Sequence, residues 1–511
     1  MKIRTLALAG LLAALPMADA FATIWTVTGT GEPASISSAA CDVSNNCPTL
    51  RDAINSAVSG DTIQFSNAID GSTIVLSQYS DDLGASARAS SEFGPSAFFF
   101  TGGKSLTLDG KTGLTRGITI ARDTTQAAFR LFDIDNGSGL TLQSLTLKNG
   151  LAQGFSSGSG GGALGAGGAI FNQGTLSIDS CTFAGNAAQG GASGDGSGNL
   201  SGAGVGSAPT PPSSGGYGGG PNGSTVYGVA GGFGGGGIAY DGGSSGGFGG
   251  GGGSGGIGGN GGFGGGAGSG SPAGTGGFGG GSGAASAGGS GGGMGGAIFN
   301  DAGSLTIVNS TFTANSASGG AGGSGAAGGS GLGGAIFNYS AILNIQSSTL
   351  ARNSVAAANG GSSDGGAVYS FDDHGCNNGG NPCSVSKSTF DLENSIFSNS
   401  EGGTHDIVVD SHTQTGADIF SGLIMMSYDS TQFTTVPVSS ADPLLSPLGH
   451  YGGPMPLPVL VPHKGSPAIN SITCVLAVDQ RGVSRPQPPN TNCDVGAVEY
   501  DGDYIFANGF D

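Results

Sequence analysis

The sequence has little charge, and very little of it is positive. Only 10% of its 511 residues are charged, and 15 basic residues stand against 34 acidic ones, for a net charge of −19 at pH 7. Such a surface argues against nucleic acid as a partner and against electrostatic docking on anionic lipid. We expect a protein that binds no nucleic acid.

The sequence also lacks a long hydrophobic run. A positively charged start precedes an apolar run from Leu6 to Leu15, and small residues allow cleavage after Ala20 or Ala22. This pattern is typical of a secretory signal peptide, and the run is too short to span a bilayer. We predict a signal peptide over residues 1–22 and a mature chain without an integral membrane segment. An uncleaved anchor is the alternative.

Cysteine is scarce, but most of it is paired along the chain. Six of the seven cysteines form three pairs that are close in sequence: Cys41 with Cys47, Cys376 with Cys383, and Cys474 with Cys493. Short loops of this kind suit disulfides formed in an oxidising compartment, whereas zinc would need CxxC spacing or nearby histidines. We predict three disulfides that staple loops and ends. Cys181 remains, and we expect it to be a small buried residue and not a nucleophile.

Glycine is abundant, with 110 residues, and an internal repeat is present. The hexapeptide GGAIFN occurs at 167–172, 295–300 and 333–338, and a degenerate copy begins at Gly365. A second element follows each copy and contains apolar residues two positions apart. Residues with this spacing share one face of a β-strand.

The second element also contains an odd step. Phe183 follows Ile178 by five positions, so the chain must turn between them before it faces inward again. One such unit cannot bury its apolar face alone, but stacked units can, which predicts an all-β solenoid of the parallel β-helix type. Asn186, Asn315 and Asn353 recur at the turns, where we expect a ladder of hydrogen-bonded amides. A row of ligand-binding amides is the alternative.

The pattern divides the chain into segments. An amphipathic helix that begins near Thr49 is suited to cap the N-terminal end of the solenoid, which would otherwise expose its apolar cross-section. After the signal peptide we expect an N-terminal cap with the first strands (23–99), the first part of the β-helix (100–187), a glycine-rich insert (188–293), the second part of the β-helix (294–425), a C-terminal cap (426–500) and a tail (501–511).

The glycine-rich insert has two interpretations. Its composition cannot bury enough apolar area to offset the entropy of ordering a normal core, which predicts a flexible loop. However, Phe248, Phe263 and Phe278 are spaced by fifteen residues. The alternative is therefore a set of packed polyglycine II helices that these phenylalanines pin.

Three parts of the chain resemble exported bacterial β-helix proteins. Residues 47–54 (CPTLRDAI) are similar to the Cys-Ser-Leu-Arg-Glu-Ala segment near their start, and the GGAI and FxxN elements are similar to polymorphic outer membrane protein repeats. Residues 466–470 (SPAIN), 479–482 (DQRG) and 493–499 (CDVGAVE) resemble the end of the choice-of-anchor Q domain. The resemblance implies a right-handed parallel β-helix with the pectin-lyase-like fold, displayed on or released from a bacterial surface. It implies no catalytic set.

Charged residues in two regions invite a catalytic interpretation. In the C-terminal cap these are Asp479, Arg481, Arg485, Asp494 and Glu499, which we interpret as structural salt bridges. A polysaccharide lyase would need carboxylates that hold calcium and a base on neighbouring coils. The early coils contain such residue types: Asp109, Asp123, Asp133, Asp135, Arg116, Arg122 and Arg130. Their spacing does not place them in one groove.

A metal site is the last chemical possibility. Asp406, Asp410 and His412 share strand parity, and His405 is adjacent, so they could bind a metal. We prefer polar residues on the solvent face of a strand, and residues 372–374 (Asp-Asp-His) are equally ambiguous. We assign no metal, no cofactor and no catalytic residue.

The sequence thus favours a non-catalytic exported β-helix protein of the bacterial outer surface or the extracellular space. Its expected role is adhesion or extracellular-matrix contact, with surface glycans or other extracellular macromolecules as partners. The alternative is a polysaccharide lyase or glycoside hydrolase that acts on an acidic polysaccharide.

Overall fold

The computed structural model describes most of the chain. The described residues are 22–79, 94–196, 201–204, 237, 240–373, 388–410, 419–426, 438–455, 457–489 and 491–502. The predicted signal peptide up to residue 21, the predicted pair Cys376 and Cys383, and residues 503–511 of the tail lie outside them.

Three long sheets run along the molecule, and their strands pair in parallel. Sheet 1 contains, in spatial order, Asn46–Cys47, Ile24–Val27, Thr62–Phe65, Ser105–Asp109, Gly139–Gln143, Thr175–Asp179, Ser304–Val308, Ile342–Gln346, Thr389–Glu393 and Phe420–Ser421. Sheet 2 contains Thr73–Leu76, Ile118–Arg122, Leu145–Lys148, Thr182–Ala184, Thr311–Thr313, Thr349–Ala351, Ile396–Ser398, Ile424–Met426 and Val438–Ser439. Sheet 3 contains Ser96–Phe100, Arg130–Ile134, Ile170–Asn172, Ile298–Asp301, Ile336–Tyr339, Val368–Phe371 and Ile407–Asp410.

Shorter elements complete the described chain. Two four-stranded parallel sheets contain Leu151–Gln153, Ala187–Gln189, Ser316–Ser318 and Ser354–Ala356, and Gly165–Ala166, Gly293–Met294, Gly331–Leu332 and Ser363–Asp364. Two strand pairs are Tyr240–Gly242 with Gly255–Ile257, and Gly449–His450 with Pro458–Val459. The helices are an α-helix at Leu50–Ser56 and a 3-10 helix at Asn67–Ile69. No helix in the described residues is long and apolar enough to cross a membrane.

Equivalent residues of the repeat stack directly on one another. Ile170 pairs with Ile298, and Ile298 pairs with Ile336. Strands Thr175–Asp179 and Ser304–Val308 pair over their full length although the insert separates them in sequence. The repeat therefore forms the stacked coils of a parallel β-solenoid, and the insert leaves their register intact.

The odd step between sheets 1 and 2 is a turn with one left-handed residue. Ser180, Asn309, Ser347 and Asn394 occupy this position in successive coils, with φ between 46° and 56°. Short polar side chains tolerate the left-handed region better than β-branched ones. One such residue re-aims the chain, so that Phe183 again faces the core.

The predicted asparagine ladder is confirmed. Asn186 Nδ2 donates to Asn315 Oδ1 at 2.9 Å, and Asn315 Nδ2 donates to Asn353 Oδ1 at 2.9 Å. All three side chains are fully buried. Because each amide satisfies the next, the ladder avoids the cost of burying unpaired polar groups.

A second amide ladder was not predicted. It runs through the last residue of the hexapeptide: Asn172 Nδ2 donates to Asn300 Oδ1 and Asn300 Nδ2 to Asn338 Oδ1, both at 2.7 Å. Asn338 Nδ2 then donates to the Ser370 hydroxyl at 3.0 Å. This ladder could have been predicted from the sequence, because all three copies of the hexapeptide end in asparagine.

Cys181 belongs to a third ladder. It is fully buried, and its N–H donates to the Ser310 hydroxyl at 3.0 Å, as the N–H of Ser310 does to Ser348 at 3.1 Å. Burial raises the pKa of the Cys181 thiol to about 12. A thiol that stays protonated and buried is a poor nucleophile, so its role here is packing.

The N-terminal helix begins where the sequence predicts. The Thr49 hydroxyl accepts a hydrogen bond from the N–H of Asp52 at 3.1 Å and caps the helix. Arg51 is buried, and its guanidinium donates to Glu32 at 2.7 Å and to the Ala97 carbonyl at 2.8 Å. Arg51 thus ties the helix to strand Ser96–Phe100 of sheet 3.

Two of the three predicted cysteine pairs are disulfides in the structure. They join Cys41 to Cys47 and Cys474 to Cys493. The first lies beside the N-terminal helix, and the second joins two parts of the C-terminal region.

The described part of the insert follows the polyglycine alternative and not the flexible loop. Gly249 N–H donates to the Phe263 carbonyl at 2.7 Å, and every third residue from Gly243 to Gly270 makes a bond with the same offset. Three residues is the period of a polyproline II helix, which leaves its backbone groups free to bond to neighbours. The insert is therefore a bundle of extended segments joined by backbone hydrogen bonds.

The segments turn back at the phenylalanines. In each turn a Phe is followed by a left-handed glycine: Gly249, Gly264 and Gly279 have φ of 77°, 71° and 76°. The N–H of Gly265 donates to the Gly262 carbonyl at 2.8 Å, which closes a type II turn around Phe263. The fifteen-residue spacing is thus the length of one hairpin unit.

Candidate functional site

The outer face of sheet 3 is an aromatic column. Phe171, Phe299, Phe337 and Tyr369 stack with ring centroids 5.3, 5.2 and 5.4 Å apart. All four are buried, because the insert lies over them. The repeat predicted stacked coils but not a second apolar layer outside these strands.

The insert docks on this column through its turns. Phe263 lies 4.5 Å from Tyr339 between ring centroids, and Phe278 lies 4.2 Å from Phe371. Phe248 and Phe263 also stack on each other at 4.9 Å. Aromatic pairs at these distances add stabilisation beyond their buried area, so sheet 3 is occupied by the chain itself.

The outer face of sheet 2 is covered by the C-terminal region. Thr182, Thr311 and Thr349 point outward from successive coils and are at most 1% exposed. Gln480 accepts from the Thr311 hydroxyl at 2.6 Å and donates to the Thr182 hydroxyl at 2.9 Å, while Ala497 N–H donates to Thr349 at 3.0 Å. The predicted C-terminal cap therefore lies along the side of the solenoid.

The charged residues of the C-terminal region form buried ion pairs. Arg481 bonds to Asp479 at 2.8 Å, and Arg485 bonds to Glu499 at 2.9 Å. Burial, followed by the charge of Glu499, raises the pKa of Asp494 to about 7. These charged side chains pair with one another within the C-terminal region, which agrees with their interpretation as structural salt bridges.

The basic residues named for a lyase are engaged by the fold. Arg130 is 2% exposed, donates to the Ala166 carbonyl at 3.0 Å, and lies 3.6 Å from the Asp133 carboxylate. Its guanidinium lies over the Phe171 ring, and burial lowers its pKa to about 10. Arg122 is also buried and donates to a backbone carbonyl at 2.8 Å.

The other early-coil candidates do not join them. Asp109 and Asp123 each accept backbone N–H groups from the turn that follows them, at 2.9 Å. Asp135 is half-buried at the end of a sheet 3 strand, and Arg116 is exposed. Hence no open groove in the described residues unites the seven candidates.

The proposed metal ligands point in different directions. His405 Nδ1 lies 2.6 Å from Asp364 Oδ2, and Asp406 is fully buried. Asp410 accepts from the Tyr369 hydroxyl at 2.8 Å. The described residues contain no group of three potential ligands. The candidates that lie outside the described residues are His374 and His412.

Sheet 1 has an accessible outer face. From strand Gly139–Gln143 to strand Thr389–Glu393, its outward side chains are all partly or fully exposed. They form three columns across the coils: Thr175, Ser304, Ile342 and Thr389 in the first, Thr141, Ser177, Thr306, Asn344 and Asp391 in the second, and Gln143, Asp179, Val308, Gln346 and Glu393 in the third. Neighbouring residues in a column are spaced by about 4.8 Å, the distance between strands. We call this surface the open face.

The open face deepens into a groove at its C-terminal end. The groove has a volume of ≈ 290 Å³, and Ile419 forms part of its wall. The Ile419 N–H donates to Asp391 at 2.9 Å, and Gln346 donates to Glu393. Asn344 Oδ1 is buried there without a hydrogen-bond partner in the described part of the chain.

None of the candidate site residues predicted from the sequence lies on the open face. Polar and apolar residues alternate in strands such as Thr175–Asp179 and Ser304–Val308, which predicts an outward polar face. The alternation does not show which of the outward faces are covered by other segments. No protein-family model, curated protein or solved structure matches the chain. The function is therefore argued from the chemistry of the faces.

Proposed function

We propose that the chain is a non-catalytic exported protein of a bacterial surface or its surroundings, which uses the open face of sheet 1 for adhesion or extracellular-matrix contact. One observation carries this proposal: the described residues cover the outer faces of sheets 2 and 3, and they leave sheet 1 accessible across successive coils. A regular polar surface of this length suits an extended partner better than a small molecule.

We further propose a right-handed β-helix of the pectin-lyase-like type, related to exported choice-of-anchor Q proteins. The resemblance of residues 47–54 and 493–499 supports the relationship. Parallel strands joined by a crossover are right-handed in the great majority of proteins, which supports the handedness. The disulfides Cys41–Cys47 and Cys474–Cys493 support export, since such bonds persist in oxidising compartments.

A binding role is favoured over the lyase or hydrolase because of where the charges lie. Arg130 and Arg122 are held by backbone carbonyls and aromatic rings in the interior. A general base must lie within hydrogen-bond distance of the substrate proton that it removes. The guanidinium groups of Arg130 and Arg122 are buried in the fold and do not meet this requirement.

The test places a bulky charge on the open face. We expect Ser177→Arg combined with Thr306→Arg to lower retention of the exported protein on producing cells or on deposited matrix by about tenfold, equivalent to about 1.4 kcal/mol of binding. The matched control, Thr124→Arg with Thr275→Arg, places the same charges at exposed sites elsewhere and should be retained like the unaltered protein. Equal retention of all three proteins would refute the role of the open face.

A second measurement addresses catalysis. The purified mature protein is incubated with polygalacturonate, alginate and neutral glycans, with and without calcium, and new reducing or unsaturated ends are quantified. We expect none. Product formation that scales with protein concentration would make the chain an enzyme and overturn the proposal.

A further inference from the structure

The open face offers hydrogen-bond acceptors and negative charge. Its columns contain the carboxylates Asp179, Asp391 and Glu393. None of the ten described strands of sheet 1 contains Lys, Arg or His. Together with the net charge of −19, this surface repels acidic polymers and attracts cationic ones.

The groove adds an acceptor that the described chain leaves unsatisfied. Asn344 Oδ1 is buried without a partner there, next to Asp391 in the same column and beside the column that contains Glu393. This oxygen is open to a donor that enters the groove, either water or a ligand group. Beside it, Ile419 is 61% exposed and offers an apolar wall. Such a groove suits a ligand that has hydrogen-bond donors beside an apolar surface.

The spacing of the face favours a polymer. Equivalent side chains recur at about 4.8 Å along each column, in a straight line across the coils. An extended chain of linked sugars advances by a similar length per residue, so one sugar can meet each coil. A folded basic protein has no such period.

We propose that the open face binds an extended polysaccharide that carries protonated amino groups, and that the groove beside Asp391 and Glu393 is its tightest subsite. This inference rests on the proposed function and names the partner class of the same face. The ammonium groups pair with the carboxylates, and sugar hydroxyls and ammonium N–H groups donate to the amide oxygens.

The test compares three soluble polymers with the full mature protein at pH 6. They are polyglucosamine, the same polymer after N-acetylation, and polygalacturonate. We expect binding to polyglucosamine, about tenfold weaker binding to the acetylated polymer, no binding to polygalacturonate, and weakening by salt, which screens exposed charges. The pair Asp391→Asn with Glu393→Gln should weaken polyglucosamine binding by about tenfold.

The matched control is Glu401→Gln, which removes an exposed carboxylate outside sheet 1 and should bind like the unaltered protein. Thermal melting of each variant shows whether its fold is retained. Equal affinity for the amino and acetylated polymers, equal losses for the groove pair and Glu401→Gln, or tighter binding of a lysine-rich peptide would each overturn the inference. If polymer binding fails but Ser177→Arg with Thr306→Arg still reduces surface retention, the amine assignment falls and the proposed function stands.

Discussion

At the scale of single residues, the buried amides of the ladders satisfy one another, whereas a buried carboxyl outside the ladders has a raised pKa. The ladder of Asn186, Asn315 and Asn353 was predicted because the same residue recurs at the turn of each copy, whereas the ladder that begins at Asn172 was not predicted. Asp301 is different: it lies 5% exposed at the end of a sheet 3 strand, with Gln173 Nε2 donating to it at 2.8 Å. Burial raises the pKa of Asp301 to about 6.

This pKa predicts a pH dependence of stability. The folded carboxyl holds its proton more tightly than the unfolded one, so its stabilisation is complete below about pH 4 and is lost as the pH rises through about 6. Asp301→Asn should be more stable than the unaltered protein at pH 8, by up to about 3 kcal/mol, and nearly equal at pH 3.5. Urea unfolding midpoints across this range measure the difference. A constant difference at all pH values would contradict the assignment.

At the scale of elements, the sequence predicted the coils better than it predicted the insert. Coil register follows from apolar side chains that must meet, such as Ile170 and Ile298. The spacing of Phe248, Phe263 and Phe278 equals the length of one hairpin unit. Glycine has no side chain, however, so the sequence did not indicate which segments of the insert form backbone hydrogen bonds with each other. Sequence alone therefore left the bundle and the loop as alternatives.

The bundle depends on glycine at closely packed positions. A Cβ atom on Gly262 would lie 1.6 Å from the Gly247 carbonyl oxygen, so we expect Gly262→Ala to destabilise the bundle by about 1 to 3 kcal/mol or more. Hydrogen exchange of residues 243–284, followed by mass spectrometry, measures the loss of protection. Gly242→Ala is the control, since nothing lies within 4 Å of its Cβ. Unchanged protection in both variants would show that the bundle does not need this packing.

At the scale of the whole molecule, the C-terminal region joins coils that are distant in sequence. The outward threonines of sheet 2 did not indicate that the C-terminal region would cover them. Gln480, for example, donates to the Cys181 carbonyl at 2.9 Å, although it lies about three hundred residues later in the sequence. Local pattern predicts a strand face, but not which remote segment will cover it. The sequence predicted a C-terminal cap over residues 426–500 but not the strand face that residues of this region cover.

Removing this contact tests the role of the C-terminal region. Gln480→Ala leaves the buried Thr311 hydroxyl without its acceptor and removes the amide that donates to the Thr182 hydroxyl, which keeps its own bond to the Pro458 carbonyl. We therefore expect a loss of about 1 to 3 kcal/mol in the free energy of unfolding. Chemical denaturation measures the change. Gln487→Ala, at a more exposed glutamine of the same region, should alter stability by less than about 0.5 kcal/mol. If both variants lost a similar amount of unfolding free energy, the contacts of Gln480 would have no special role in stability.

The insert separates two coils that are already paired with each other, strands Thr175–Asp179 and Ser304–Val308. Its hairpins repeat every fifteen residues, and each contributes one ring to the stack of Phe248, Phe263 and Phe278. An in-frame duplication of one unit would add a hairpin and a ring while every coil kept its neighbours. The size of this part of the molecule is thus a trait that evolution can change in whole steps, independently of the solenoid.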